Sequence, residues 1–145
     1  MYKEEFEFLK DRANRLSKCR HRKVAAMILD ATGPGEHIVG LNCEGPIAGP
    51  CKESCLRDDL NIESGKDPDA CRGFHAEQSA ILQAGLDKCA GKVILTTLAP
   101  CSSCAKWLIA AGISKVVYQD DYTSGIGLKL LTEAGIEVDQ YKEEQ

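Results

Sequence analysis

The sequence of 145 residues contains no apolar run of about 18 residues, the length that a membrane-crossing helix requires. Its first ten residues, MYKEEFEFLK, are highly charged and lack the apolar core and the cleavage site of a secretory signal peptide. These two absences predict a soluble, cytoplasmic protein that does not associate with a membrane.

The chain also lacks an excess of basic residues, because 22 acidic residues outnumber 18 lysines and arginines and the formal net charge is −4. A surface for duplex nucleic acid needs many cations against phosphates, and a single-strand channel adds aromatic residues, which are only 6% here. We therefore expect no nucleic-acid partner. The segment KCRHRK, residues 18–23, is a local exception that is either a small anion site or a solvated turn.

Cysteine, in contrast, is abundant, with eight residues at positions 19, 43, 51, 55, 71, 89, 101 and 104. In a reducing compartment disulfides are rare, so clustered cysteines more often bind metal or take part in chemistry. A secreted, disulfide-bonded domain is the alternative, and the missing signal peptide argues against it.

Hydrophobic periodicity predicts helices and strands on either side of an irregular segment. An amphipathic helix is expected over 3–17, followed by a hairpin of the strands VAAMIL and HIVGLN with a turn at Gly33-Pro34-Gly35. Residues 43–72 show little periodicity and hold four cysteines, with one short helix expected near 51–60. The later helices and strands are expected to alternate at 74–84, 92–98, 101–111, 115–119, 125–134 and 136–140.

This order predicts an α/β fold. Alternating strands and helices imply parallel strands with right-handed crossovers, and the initial hairpin makes the sheet mixed. We expect a three-layer α/β/α sandwich formed by a single domain over residues 1–145, with a cysteine-rich insertion at about 43–72.

Two short motifs place ligand-type residues at the starts of two predicted helices. The segment CRGFHAEQSAI contains His75 and Glu77, and LAPCSSC contains Cys101 and Cys104 directly after Pro100. Proline is tolerated at a helix start, where exposed N–H groups favour thiolates. If both starts share one sheet edge, His75, Cys101 and Cys104 would supply three metal ligands and leave a fourth position open, as in catalytic zinc sites. Glu77 would face that open position and transfer protons.

Each motif alone has another explanation, helix capping for His-x-Glu and a redox pair for Cys-x-x-Cys. In this order they form the signature of zinc deaminases. The sequence resembles the zinc-dependent cytidine and deoxycytidylate deaminase family, most nearly its dCMP deaminases, over nearly the whole chain. The resembling segments are KCRHRKVAAMIL, CRGFHAEQSAI, LTTLAPCSSCAKWLIAAGISKVVY and AGIEV.

The resemblance implies a cytidine-deaminase-like sandwich with a five-stranded mixed sheet. It also implies a hydrolase that converts dCMP to dUMP and ammonia, which supplies dUMP for thymidylate synthesis. It assigns the catalytic zinc to His75, Cys101 and Cys104, and the proton transfers to Glu77.

A subset of the family carries a second, structural zinc, and the resemblance assigns this ion to four more cysteines. The implied ligands are Cys19, Cys51, Cys55 and Cys71. His21 could replace one thiolate. The alternative is that these cysteines are small buried apolar residues. Cys43 and Cys89 are expected to be structural, without a metal.

The resemblance also implies residues that contact the substrate. Asn42 would hold the sugar, and the backbone of Ala76 would face the pyrimidine. Tyr122 and Tyr118 would lie near the nucleotide, and the alternative for each tyrosine is a packing or surface role. Arg22 and Lys23 are expected to bind the phosphate, with Arg20 in reserve.

The resemblance also implies a homo-oligomer, from a dimer to a hexamer, and Mg²⁺ together with any regulatory deoxynucleoside triphosphate. In the loop GLNCEGPIAG, Leu41, Cys43 and Glu44 depart from the family pattern, which argues against regulation by dCTP and dTTP. Two alternatives to dCMP deamination stay open. One is a deaminase for another compound, such as deoxycytidine, dCTP, guanine or adenosine in tRNA, and the other is a zinc-stabilised binding module without turnover.

Overall fold

The computed structural model describes residues 1–31, 35–64, 66–67, 70–122 and 124–143. The α-helices within these ranges are α1 (Lys3–Leu16), α2 (Ala48–Glu53), α3 (Leu56–Asp59), α4 (Ala76–Ala84), α5 (Ser102–Ala111) and α6 (Ile126–Glu133). The strands are β1 (Ala25–Leu29), β2 (Ile38–Leu41), β3 (Val93–Leu98), β4 (Lys115–Asp120) and β5 (Glu137–Gln140). None of the helices in these ranges combines the length and hydropathy that a bilayer crossing demands.

The strands form one mixed sheet in the order β2-β1-β3-β4-β5. Strand β1 is antiparallel to both β2 and β3, whereas β3, β4 and β5 run parallel. The hairpin and the parallel half of the sheet therefore follow the predicted order. In the predicted turn, Gly33 and Pro34 lie outside the described residues.

Helices cover both faces of the sheet. Alternate residues of a strand point to opposite faces, and β1 is buried along its whole length, as a strand between two helical layers must be. Helix α1 buries Phe6 and Leu9 against one face, in a cluster that includes Met27. Helices α4, α5 and α6 pack on the other face, where Ala26 and Ile28 lie. The prediction of a three-layer α/β/α sandwich with a five-stranded mixed sheet is confirmed.

The segment 43–72 contains two short helices, α2 and α3, where one near 51–60 was expected. Much of its order comes from Arg57, whose guanidinium donates hydrogen bonds to the carbonyl oxygens of Asp67 (2.6 Å) and Glu63 (2.9 Å) and to that of Lys66. A side chain bonded to main-chain oxygens leaves no periodic sequence signal, which explains why the sequence alone showed only irregularity.

Two glycines allow helices to approach the strand ends that carry the candidate site. A Cβ atom at Gly40 would lie 2.5 Å from the carbonyl oxygen of Ala76 and closer still to the amide nitrogen of Ala80. Strand β2 therefore touches the first turns of α4. A Cβ atom at Gly127 would overlap the carbonyl oxygen of Pro100, so α6 lies directly against the segment that leads into α5.

Replacing Gly40 by alanine is expected to lower the free energy of unfolding by about 1–3 kcal/mol, because backbone atoms of α4 would have to move. Urea unfolding of the two proteins measures the difference. The control is Gly49→Ala in α2, where no described atom lies within 4 Å of the added Cβ. This variant should match the parent or be more stable by about 0.5–1 kcal/mol. Equal losses in both variants would contradict the close contact at Gly40.

Candidate metal centre and catalytic pocket

The candidate site begins at the first residues of α4 and α5. His75 is the residue that precedes α4, and its extended backbone (φ −77°, ψ 156°) leaves its ring outside the helix. Its amide N–H donates to Oε1 of Gln78 at 3.0 Å, a bond that stabilises the first turn of α4. Cys101 precedes α5 in the same way, and its sulfur accepts the amide N–H of Cys104 at 3.5 Å.

The structure brings His75, Cys101 and Cys104 together. Nδ1 of His75 lies 3.1 Å from Sγ of Cys104 and 3.5 Å from Sγ of Cys101, and all three atoms lie within 4.8 Å of one another. Ligands on a tetrahedral zinc with bonds near 2.1 Å to nitrogen and 2.3 Å to sulfur are separated by about 3.6 Å. The one nitrogen and two sulfurs therefore fit a zinc ion with little movement.

His75, Cys101 and Cys104 share protons through hydrogen bonds, and these bonds shift the pKa of each residue. The Cys104 thiol and the His75 ring both stabilise the Cys101 thiolate and lower the pKa of Cys101 to about 4. The same contact with Cys101, together with burial, raises the pKa of Cys104. The bond to Cys101 also raises the pKa of His75 to about 9, against the opposing effect of burial. A divalent cation can displace the protons of such a donor set.

Glu77, in the first turn of α4, is only 4% exposed. Burial raises the pKa of its carboxyl, while the positive charge of His75 opposes the shift. The carboxyl also interacts with the Cys104 thiol. A buried carboxyl beside the donor set can exchange protons with a group bound there.

A cavity of about 460 Å³ adjoins these residues, a size typical of small-molecule sites. His75, Glu77 and Cys101 line it, as do the predicted substrate residues Asn42, Ala76, Arg22 and Tyr122. Residues 43–72 contribute further lining through Lys66 and others. His75, Cys101 and the basic segment thus border one continuous space, while Cys104 is fully buried.

Asn42 follows β2 and holds the basic segment in place. Its Oδ1 accepts hydrogen bonds from the Ser17 hydroxyl (2.6 Å) and the Val24 amide (2.9 Å), and its Nδ2 donates to the carbonyl oxygen of Arg22 (2.6 Å). The family resemblance implies a contact between Asn42 and a sugar, which stays a prediction. The structure reveals in addition a side chain that fixes the path of residues 17–24, which no local pattern could have indicated.

The basic side chains of residues 18–23 point to different parts of the structure. Arg22 lines the cavity, with its guanidinium carbon 5.8 Å from the ring centre of Tyr122. Nζ of Lys23 instead donates to the carbonyl oxygen of Ser17 at 2.7 Å, and Arg20 donates to the carbonyl oxygens of Lys52 and Glu53. Of the three residues considered for the phosphate, Arg22 is thus the one that borders the cavity. Tyr118 lies in β4 and is 9% exposed.

A second group of thiols surrounds Cys43. Its thiol is hydrogen-bonded to Cys19, Cys71 and Cys51. These bonds lower the pKa of Cys19 to about 5 and that of Cys71 to about 6, and they raise the pKa of Cys43 itself. Three of the four predicted structural ligands therefore lie around Cys43, a residue for which the sequence predicts no metal.

Cys55, the fourth predicted ligand, lies in a different group. Its sulfur is within 4.8 Å of ligand atoms of His21 and Asp58, and Nε2 of His21 is 2.7 Å from Oδ2 of Asp58. Cys89 is buried elsewhere and donates to the carbonyl oxygen of Gly85 at 3.3 Å.

The loop GLNCEGPIAG, which departs from the family pattern, is held by the side chain of Glu44. Oε1 of Glu44 accepts hydrogen bonds from the Leu41 amide at 3.0 Å and from Nε2 of Gln83 at 2.9 Å. Glu44 thereby ties the end of β2 to α4. A triphosphate site with Mg²⁺ and a homo-oligomer stay predictions.

Residues 3–120 match the family described as cytidine and deoxycytidylate deaminase zinc-binding region. Deoxycytidylate deaminase of Schizosaccharomyces pombe is 30% identical over 134 residues, which cover 89% of this chain and 40% of that protein. ComE operon protein 2 of Bacillus subtilis is 34% identical over 131 residues, or 86% of this chain and 62% of that protein. The chain therefore spans less than two thirds of the length of these relatives.

Solved structures show the same architecture. The dCMP deaminase of cyanophage S-TIM5, in complex with dCMP and dUMP, superimposes with a TM-score of 0.67 at 23% identity, covering 95% of this chain and 94% of that one. The family match extends over both motifs, so the resemblance seen in the sequence is confirmed: the chain belongs to the cytidine and deoxycytidylate deaminase family.

Proposed function

We propose that the chain is a zinc-dependent hydrolase that deaminates dCMP to dUMP and ammonia. One observation carries the proposal: the buried carboxyl of Glu77 lies beside the cluster of His75, Cys101 and Cys104, in a cavity that Arg22 also lines. The relatives named deoxycytidylate deaminase support the choice of substrate.

His75, Cys101 and Cys104 would hold the metal, since their donor atoms suit zinc in type and spacing. Bound zinc would act as a Lewis acid and make hydroxide available at neutral pH. The chain contributes the arrangement of the ligands, which are fixed by the first turns of α4 and α5.

Glu77 would move the protons. Hydrolytic deamination adds an oxygen from water at C4 of the cytosine ring, protonates the adjacent ring nitrogen and breaks the C4–N bond, so that the amino group leaves as ammonia. Each change requires a proton donor or acceptor within hydrogen-bond reach. Glu77 is placed for this work because it lines the cavity and lies two residues from His75.

The remaining wall would orient the nucleotide. The backbone of Ala76 would face the pyrimidine. Nδ2 of Asn42 donates one hydrogen to Arg22 and would offer its second hydrogen to the sugar. Tyr122 and Arg22 would lie near the phosphate, with Lys23 supporting the turn through its bond to Ser17.

Purified, zinc-loaded protein is expected to release ammonia from dCMP in preference to deoxycytidine, dCTP and guanine. Glu77→Gln should lower kcat for dCMP by about 100-fold to 10,000-fold, because the amide cannot exchange protons. Its zinc content should remain that of the parent. A coupled assay for ammonia and elemental analysis give both values. Preferred turnover of another compound would replace dCMP as the substrate, and silence of the loaded parent would leave a binding module.

Cys104→Ser is expected to lower the zinc content by about one ion per chain, because a neutral hydroxyl replaces a thiolate ligand. Elemental analysis after gel filtration measures this loss. The matched control is Cys89→Ser, which changes a buried thiol that is bonded only to Gly85 among the described contacts and should keep all its zinc. Undiminished zinc in Cys104→Ser would remove Cys104 from the ligand set.

Arg22→Ala is expected to raise KM for dCMP about tenfold or more, as the loss of a charge-assisted bond to phosphate predicts. KM for deoxycytidine, which has no phosphate, should change much less. Arg15→Ala on the exposed side of α1 is the control, and it should leave both values unchanged. Equal rises for the two substrates would assign Arg22 a role other than phosphate binding.

A further inference from the structure

Cys43 has an unusual backbone for its residue type. Its φ angle is +54°, in the left-handed region that residues with a Cβ atom rarely adopt, and its side chain is only 3% exposed. The conformation is held by its amide N–H, which donates to the carbonyl oxygen of Phe74 at 3.0 Å. Glycine would take this conformation without strain, so a buried side chain here needs a compensating interaction.

The thiol of Cys43 has such interactions. It is hydrogen-bonded to Cys19, Cys51 and Cys71, which come from three separate parts of the chain. Gly73 leaves the space for it, because a Cβ atom at Gly73 would overlap Sγ of Cys43 and lie 3.5 Å from Sγ of Cys51. The backbone thus directs this sulfur into the centre of a thiol cluster.

A void of about 20 Å³ lies within the same cluster. This volume is enough for one water-sized occupant. The lining residues include Cys19, Cys43, Cys51, Cys55 and Cys71, and three guanidinium-bearing residues, Arg20, Arg57 and Arg72.

Main-chain amides also face these sulfurs. The Arg22 N–H is directed at Sγ of Cys19 at 3.4 Å, and the backbone of Gly73 bonds to Cys71. Amide bonds to sulfur favour the thiolate, which is the form that binds a metal. Cys55 lines the same void, but its sulfur lies within 4.8 Å of ligand atoms of His21 and Asp58.

We propose that the second metal ion is held by Cys19, Cys43, Cys51 and Cys71, and that Cys55 is not a ligand. Four thiolates make a closed structural zinc set. No three of these four sulfurs lie within 4.8 Å of one another, so on loss of their protons they would have to move together onto the ion. The strained left-handed backbone at Cys43 would then be compensated by the bond between its sulfur and the ion.

This ion would also stabilise the wall of the catalytic cavity. Cys43 directly follows Asn42, which holds the backbone of Arg22, and its amide is bonded to Phe74, the neighbour of His75. The second metal would therefore connect the irregular segment to the start of α4.

The decisive variant is Cys43→Gly, because the two explanations of Cys43 predict opposite results. If Cys43 is a ligand, the zinc content should fall from about two ions per chain to about one, with a lower melting temperature. If Cys43 is only a packed side chain, the protein should keep both zinc ions, and its stability should change only by the balance between relieved backbone strain and lost packing. Cys55→Ser is the matched variant and is expected to retain both ions. Retained zinc in Cys43→Gly, or a lost ion in Cys55→Ser, would overturn the proposal.

A second measurement needs no variant and no enzymatic activity. The zinc-loaded chain is treated with a thiol-alkylating reagent, and the modified cysteines are identified by mass spectrometry before and after addition of a zinc chelator. Cys55 is expected to react before chelation, and Cys19, Cys43, Cys51 and Cys71 to react only after it. Protection of Cys55 that is released together with Cys19 would contradict the proposed set. Because the readouts are zinc content and alkylation, the result does not depend on whether dCMP is the substrate.

Discussion

The candidate chemistry depends on the meeting of two helix starts. The ring of His75 before α4 and the sulfurs of Cys101 and Cys104 at the start of α5 lie within hydrogen-bonding distance of one another. Both helix starts depend on a close backbone contact that only glycine permits. Gly40 lets β2 touch the first turns of α4, and Gly127 lets α6 lie against the segment before α5. The position of the donor atoms is therefore set by backbone contacts, which tolerate little movement.

Burial gives this arrangement its chemical character. Glu77 and Cys104 are almost completely enclosed, so charge on them is unfavourable unless a partner balances it. The neighbouring groups balance it by sharing protons, which stabilises the Cys101 thiolate and raises the pKa of His75. Such a cluster has the composition of a cation site that also contains a carboxyl able to exchange protons.

The irregular segment 43–72 shows a different source of order. It has little apolar periodicity, and its fold relies on polar and thiol contacts between distant residues. Arg57 gathers three carbonyl oxygens of the segment, Asn42 holds the chain that precedes β1, and the thiols converge around Cys43. These contacts also place Lys66 on the wall of the cavity. The segment is thus part of the wall of the cavity.

The order of strands and helices followed from the sequence, because buried faces repeat with the period of each element. The roles suggested for His75, Glu77, Cys101 and Cys104 followed from two local motifs whose spacing is preserved at helix starts. Other features were decided by the tertiary structure. The tertiary structure shows that Cys43, and not Cys55, contacts Cys19, Cys51 and Cys71. It also shows that Arg22 borders the cavity, whereas Lys23 bonds to Ser17. The positions of Cys43 and Arg22 depend on hydrogen bonds between residues far apart in the chain. Such bonds, rather than a repeating pattern of apolar residues, determine the path of an irregular loop.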